Sequence, residues 1–336
     1  RGIRGVMSEG ADIWQRFRCL EEMAARIRHW DLEFRPLAAD RGGTELFQAR
    51  LGPLLLTHLD TGCGHRHLGA APPGGATFAL LADDAQTVHW CRQRVDPGGL
   101  PFFEAGQDFE ASAHPRFNVF TLTVDAGRLA SDPLWEPILG RLRRPGTGRG
   151  GIYHASPYAR QRLRRRIATT LSALAQGGRG VVVPGAAPVL GDLIVGELRQ
   201  ALEAADPAAE RSSAWARARA VQRALEYLDG HPLEPVNGRQ LSAIASVSER
   251  TLQRAFLEHY GIGPKAYACR LRLNEMRADL LSCEAGEVFI KDLAIARGLW
   301  HMGQFARDFR AMFGELPSQT LDRRPEGLYG RLKAGR

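Results

Sequence analysis

The sequence predicts an α+β chain of several domains. An antiparallel β-sandwich or barrel fills the N-terminal half, connecting helices follow, and an all-α C-terminal third holds two helix-turn-helix motifs joined by a long helix. Two observations carry this reading. The period of the apolar residues changes from two to that of a helix near residue 150, and the last third contains the same unit twice at an offset of 52 to 53 residues. With 336 residues and 44% apolar composition, the chain is long enough for more than one core.

Residues 32–124 read as short strands between turn clusters. "GPLLLTHL" (52–59), "ATFALL" (76–81) and "FNVFTLTV" (117–124) are strand-like, with turns at "PPGG" (72–75) and "DPGG" (96–99). In the third strand Phe120, Leu122 and Val124 alternate with Thr121 and Thr123, the pattern of a strand buried on one face. Trp90, Phe102 and Phe103 are read as packing in this β core rather than as the lining of a pocket.

After the loop "RRPGTGRGG" (143–151) the pattern turns helical. Leu163, Ile167, Leu171 and Leu174 share one helix face, and Leu190, Ile194, Leu198 and Leu202 share another. The cluster "RQRLRRR" (160–166) is then a solvated face opposite Leu163 and Ile167. "AADPAAERSSA" (204–214) reads as a linker, and from Trp215 onward the chain is helical. The expected division is 1–150 β-rich, 151–210 a helical connector, 211–325 the all-α domain and 326–336 a tail. The two apolar stripes at 158–205 exceed what a connector needs, so one is expected on the β half and the other against a second copy in a homodimer.

The repeat organises the last third. Laying "TLQRAFLEHYGIGP" over "QFARDFRAMFGELP" pairs Leu252 with Phe305, Arg254 with Arg307, Phe256 with Phe309, Gly261 with Gly314 and Pro264 with Pro317. Upstream, Leu241 pairs with Leu293 and Val247 with Leu299. Each copy is a short helix, a tight turn and a second helix, over about 238–260 and 290–313. Ser248 is placed as a cap with Val247 and Leu252 as its hydrophobic staple, and His301 sits likewise between Trp300 and Phe305. Gly261 and Gly314 suit left-handed stops. A connecting helix from Pro264 to Ser282, with Ala266, Cys269, Leu273, Met276 and Leu280 along its seam, spans roughly 28 Å at about 1.5 Å per residue. That is close to one duplex turn of about 34 Å, so two second helices can enter successive major grooves.

The apolar stripes of the second helices leave polar faces outward: Arg250, Gln253 and Arg254 in one copy, Gly303, Arg307 and Arg310 in the other. Guanidinium and amide groups near a helix N-terminus are the chemistry that reads guanine and adenine edges. Charge supports a polyanion partner, since residues 211–336 hold twenty Lys and Arg against fourteen Asp and Glu.

With these residues in view, "VSERTLQRAF", "GIGPKAYACRLRLNEMRADLLS" and "IKDLAIARGLWHMGQFARDFRAMFGELPSQTL" resemble the DNA-binding domain of AraC/XylS-type transcriptional regulators, over about a third of the chain. The resemblance implies base-reading positions at Arg250, Gln253 and Arg254 in the first motif and at Met302, Gly303, Gln304 and Arg307 in the second. This chain has Gly298-Leu299-Trp300 and then Met302-Gly303 where many members have Gly-Phe and a polar helix start. Readout by the second motif is therefore expected to be weaker, with Arg307 and Arg310 mainly gripping phosphates. The order of a β-rich half, helices and a double motif also resembles members with a cupin-like sensor and dimerisation region. It implies double-stranded operator DNA as partner, a small-molecule effector of unknown identity, RNA polymerase if the protein is an activator, and no cofactor.

The competing class is an enzyme. "HLDTGCGHRH" carries His58, Asp60, His65 and His67, and its H-x-H pair resembles part of a metal-binding cupin motif suited to Fe(II) or Mn(II). No glutamate follows within reach, so these are read as exposed loop histidines, and a metal-dependent cupin-type enzyme fused to a DNA-binding domain stays the alternative. The five cysteines, Cys19, Cys63, Cys91, Cys269 and Cys283, form no C-x-x-C pair. They are expected to be reduced and mostly buried, without the clustering of the zinc-held thiols in DNA-alkylation response regulators. No run of eighteen apolar residues and no signal pattern occurs, which makes a cytoplasmic, nucleoid-associated address the expectation.

Overall fold

The computed structural model describes residues 13–40, 42–83, 86–91, 93–95, 98–143, 151–177, 185–203, 205–207, 212–234, 236–283 and 289–322. Most of the loop at 143–151, much of the linker at 204–214 and the tail at 326–336 lie outside the described residues.

The N-terminal part runs β1 (Ile13–Phe17), α1 (Leu20–Ala24), β2 (Asp31–Pro36), β3 (Thr44–Leu51), β4 (Leu54–Thr61), β5 (His65–Ala70), β6 (Gly75–Leu81), β7 (Val88–Trp90), β8 (Gln93–Val95), β9 (Gly99–Phe103), β10 (Asp108–Ala113) and β11 (Phe117–Asp125). Then come α2 (Ala126–Ser131), α3 (Trp135–Leu142), β12 (Gly151–His154), α4 (Pro157–Gly177), α5 (Ala186–Glu203) and β13 (Asp206–Pro207). Two sheets face each other as a sandwich, one ordered β1-β3-β4-β11-β6-β9-β12-β13 and the other β2-β5-β10-β7-β8. The β3–β4 hairpin turns at Gly52, whose φ of 57° supplies the twist that a two-residue hairpin loop requires.

The first sheet is covered twice. Its inner face meets the second sheet in a core that includes Leu46, Leu59 and Val119, while its outer face meets α3, α4 and α5 in a core around Phe78, Leu122, Trp135 and Leu198. β11 therefore departs from the one-faced strand that its alternation suggests: Phe120, Leu122 and Val124 pack under the helices, and Phe117 and Val119 pack between the sheets. Thr123 is buried too, hydrogen-bonded to Thr77 at 2.8 Å. The stretch 151–210 contributes two strands to this sheet, and both of its helices bury their stripes in the same core, Leu163 and Ile167 from α4 and Ile194, Leu198 and Leu202 from α5. The arginine cluster is not uniformly solvated either. Arg160 is buried against the carbonyl of Ala155, and Arg164 donates to the carbonyl of Leu81 at 2.9 Å.

The second sheet shows two neighbouring cross-strand rows of opposite sense. Phe34, His67, Ala111 and Trp90 stand opposite one another and point inward; Arg35, Arg66, Ser112 and His89 form the next row and point outward. His65 and His67 are thus buried strand residues, not exposed loop residues, packed among Phe34, Phe109 and Phe117. Desolvation lowers His65 from its ordinary 6.5 to about 4 and pushes His67 well below its ordinary value, so both rings are neutral. His58 and Asp60 lie on β4 of the other sheet, tied to Asn118. Among the described residues no group of three or more His, Cys, Asp or Glu is placed to hold a metal ion. Of the five free cysteines only Cys63 is fully buried; the other four are half-buried.

The C-terminal part is helical: α6 (Ser212–Gly230), α7 (Gly238–Ala245), α8 (Glu249–Tyr260), α9 (Pro264–Ser282), α10 (Ile290–Ala296), α11 (Met302–Phe313) and α12 (Pro317–Asp322). It forms two lobes with separate cores. Leu241, Leu252, Phe256, Tyr267 and Leu271 belong to the first, and Leu273, Met276, Leu280, Phe305 and Phe309 to the second. α9 runs through both, which is why its buried surface is wider than a single seam: Tyr267, Ala268 and Leu271 are buried as well, while Ala266 is exposed. No helix among the described residues is long and apolar enough to cross a membrane.

Candidate nucleic-acid interface

α7–α8 and α10–α11 are the two copies of the repeat. In the first, the Asn237 side chain accepts from the amide of Arg239 at the start of α7, and Ser248 Oγ accepts from the amide of Thr251 at 3.2 Å at the start of α8. Val247 leans on the core that buries Leu252, as a staple requires. The second copy is started differently. His301 makes no side-chain cap, and Trp300 is 63% exposed, so the staple between Trp300 and Phe305 does not form. Both second helices stop at a left-handed glycine, Gly261 with φ 71° and Gly314 with φ 74°.

The buried stripes are Leu252, Ala255 and Phe256 on α8 and Phe305, Phe309 and Met312 on α11. Seven of the eight residues expected at the interface, Arg250, Gln253, Arg254, Gly303, Gln304, Arg307 and Arg310, are exposed; Met302 is half-buried against the second lobe's core. On α8, Arg254 Nε donates to Glu258 Oε1 at 3.0 Å, and Glu258 also takes Arg217 Nε of α6 at 2.9 Å. Desolvation raises the Glu258 pKa, but the hydrogen bonds and charges of Arg254 and Arg217 outweigh it and leave the carboxyl below its ordinary value. Gln253 lies against Gly263, where a Cβ would come within 2.4 Å of its amide nitrogen. Arg250 has no hydrogen bond or ion pair among the described residues, so its guanidinium is available at the first turn of α8.

On α11 the polar residues hold each other. Arg307 donates to Gln304 Oε1 at 3.0 Å and to the carbonyl of Gly303 at 3.2 Å, and Gln304 donates to Asp308 Oδ1 at 2.7 Å. Gln304 thus has its amide oxygen and nitrogen both engaged before any ligand arrives. Two further cations stand exposed on the first helices of the repeat. Arg239 on α7 is 92% exposed, and Lys291, its repeat equivalent on α10, is exposed as well. The offset of 52 residues that pairs Leu241 with Leu293 also pairs these two, and the first helix of a helix-turn-helix crosses the phosphate backbone.

A profile of the family described as "Helix-turn-helix domain" matches residues 241–323. Similar proteins include XylDLEGF operon transcriptional activator 3 of Pseudomonas putida, 33% identical over 103 residues, 31% of this chain and 31% of that protein. Regulatory protein HrpB of Ralstonia nicotianae is 33% identical over 122 residues, 35% of this chain and 26% of that protein. The chain spans less than a third of the length of these relatives. Among solved structures, a probable AraC family transcriptional regulator from Rhodopseudomonas palustris is 36% identical, covering 32% of this chain and 98% of that chain with a TM-score of 0.30.

Proposed function

We propose, from the premise that residues 241–323 are a helix-turn-helix domain of the AraC/XylS family, that the chain is a sequence-specific DNA-binding transcriptional regulator. α8 and α11 enter successive major grooves of one duplex. The observation that carries this is the pair of repeated helices that both bury an apolar stripe and turn a polar, arginine-bearing face outward, at the two ends of one 19-residue connector. Arg250, Gln253 and Arg254 read base edges from α8; on α11, Arg307 and Arg310 grip phosphate, and Gln304, already engaged by Arg307 and Asp308, adds little readout beside Met302 and Gly303. Arg239 and Lys291 add phosphate contacts from the first helices.

The β half is the regulatory part of this reading. Between its sheets is a cavity of about 70 Å³ whose lining includes Trp30, Phe34, His67, Trp90, Phe103 and Thr121 and no Lys, Arg, Asp or Glu. Trp90 and Phe103 are therefore cavity residues, whereas Phe102 packs on the opposite face under the helices. The cavity is about half the size of one, about 150 Å³, that takes up benzene. An effector of ordinary size requires the aromatic rings to move. Homodimer formation falls to the surfaces of α4 and α5 that remain outward, where Tyr158, Val189 and Leu193 are exposed. RNA polymerase is the further partner of an activator.

Selection of the full-length protein against a random duplex library tests the reading. Enrichment of a site with two elements about one helical turn apart is expected, with affinity falling steeply as salt rises. Recovery of no preferred sequence would sink it.

A further inference from the structure

The two lobes share no apolar core, so α9 alone would set the separation and twist of the reading helices within the C-terminal part. The β half adds a second constraint, because it touches both lobes. From the outward row of the second sheet, Arg66, only 4% exposed, donates to Glu110 at 2.8 Å within its own sheet. It then reaches Asp229 of α6 at 3.1 Å and the hydroxyl of Tyr267 of α9 at 3.0 Å. Ser112 Oγ donates to the carbonyl of His259 on α8 at 3.0 Å, and Leu37 is buried in the first lobe's core. Halfway along α9, Asn274 donates to the carbonyl of Pro36 at 2.9 Å. Toward its far end Arg277, buried, stands 3.2 Å from Glu21 of α1, donates to Glu315 of the second lobe at 2.8 Å and lies over the ring of Phe313 at 4.6 Å.

We propose that the β half is a spacing clamp: Arg66 through Asp229 and Tyr267, and Glu21 through Arg277, fix the two lobes relative to each other and so determine which separation of DNA elements the protein accepts. These are specificity-determining residues that touch no DNA. Arg66 holds direction as well as distance, because a buried guanidinium hydrogen-bonded at once to Glu110, Asp229 and Tyr267 has one geometry that satisfies all three, while Arg277, hydrogen-bonded to Glu315, faces Glu21 as an ion pair. A one-base-pair change in separation rotates one element by about 34–36° about the duplex, so a clamped pair of helices tolerates it poorly. The inference rests on α8 and α11 being the reading helices.

The test uses the full-length protein and its selected duplex, with the spacer between the two elements lengthened or shortened by one or two base pairs. The wild type is expected to lose tenfold or more in affinity for a one-base-pair change. The variant Asp229→Asn, Glu21→Gln is expected to lose threefold or less, with its helical circular dichroism unchanged. If that variant does not fold, Asn274→Ala, which removes the hydrogen bond to Pro36 of the β half and a second one to Arg270 within α9, is expected to broaden the profile in the same sense. A folded variant that keeps the wild-type spacing profile overturns the clamp and leaves the DNA-binding reading intact. A wild type that selects no duplex overturns both.

Discussion

Ser246 and Gly298 occupy the same turn in the two helix pairs, and both are left-handed, with φ of 57° and 69°. Ser246 caps α7, its amide bonded to the carbonyl of Ala243, and the following Val247 amide reaches the carbonyl of Ser242 at 3.1 Å. Glycine adopts this conformation without the Cβ clash that serine suffers. Ser246→Gly is therefore expected to stabilise the first lobe by about 0.5–1 kcal/mol and Gly298→Ala to destabilise the second by about 1 kcal/mol. Urea denaturation followed by circular dichroism checks both, and a Ser246→Gly protein less stable than the wild type would refute the strain argument.

Gly191 lets α5 sit directly on the β3–β4 hairpin. A Cβ there would lie 1.9 Å from the carbonyl oxygen of Leu51, a backbone atom that cannot swing aside. Gly191→Ala must therefore lift the helix from the sheet, separating Ile194 and Leu198 from their core. The propensity gain of alanine in a helix is about 1 kcal/mol, and overpacking costs about 1–3 kcal/mol, so a net loss of stability is expected. Thermal denaturation decides it; a raised Tm would show that the helix has room to move.

His65 makes stability depend on pH. Its ordinary pKa of 6.5 falls to about 4 on folding because desolvation penalises the charged ring. Between those values the unfolded chain binds a proton that the folded chain does not, so stability is full above pH 6.5 and declines as pH drops toward 4. The size is roughly 3 kcal/mol for this one ring. In His65→Phe that contribution disappears, so the stability gap between wild type and variant should shift in the variant's favour by about that amount from pH 7.5 to pH 4. A gap independent of pH would mean that His65 is protonated in the folded protein.

The double motif was legible because its information is local and stated twice. Leu252 and Phe305, Gly261 and Gly314, Pro264 and Pro317 occupy matching places, and capping and stop signals lie within a few residues of one another. What stayed hidden depends on partners far away in sequence. Arg66 and Asp229 meet across 163 positions, and nothing around "HRH" announces that the arginine faces another domain while its histidine neighbours face a core. The period-two pattern of β11 located the strand but not the second core it serves, because a threonine such as Thr123 bonds to a neighbouring strand, here to Thr77, as readily as to water. On α9 a single seam was the natural expectation; two separate cores on one helix leave a burial pattern with no simple period. Trp300 shows the reverse failure, in which a correctly placed apolar residue finds no partner.

Arg254 and Arg310 test the proposed separation of reading from gripping. Arg254 projects from a capped helix and is held by Glu258, which is held in turn by Arg217, so in the proposed reading its guanidinium would meet a base edge with part of its freedom already removed. Arg254→Ala is expected to cost about 1–3 kcal/mol at the preferred site, to relax preference at one or two positions, and to leave binding to a scrambled duplex little changed. Arg310 is exposed in the last turn of α11, beyond the Arg307 cluster, and the proposed reading gives it a phosphate rather than a base. Arg310→Ala should therefore weaken specific and scrambled duplexes about equally and lower the salt slope by about one. Titrating both variants against both duplexes at two salt concentrations distinguishes the roles. Equal losses on both duplexes for Arg254→Ala would place a different face of α8 in the groove.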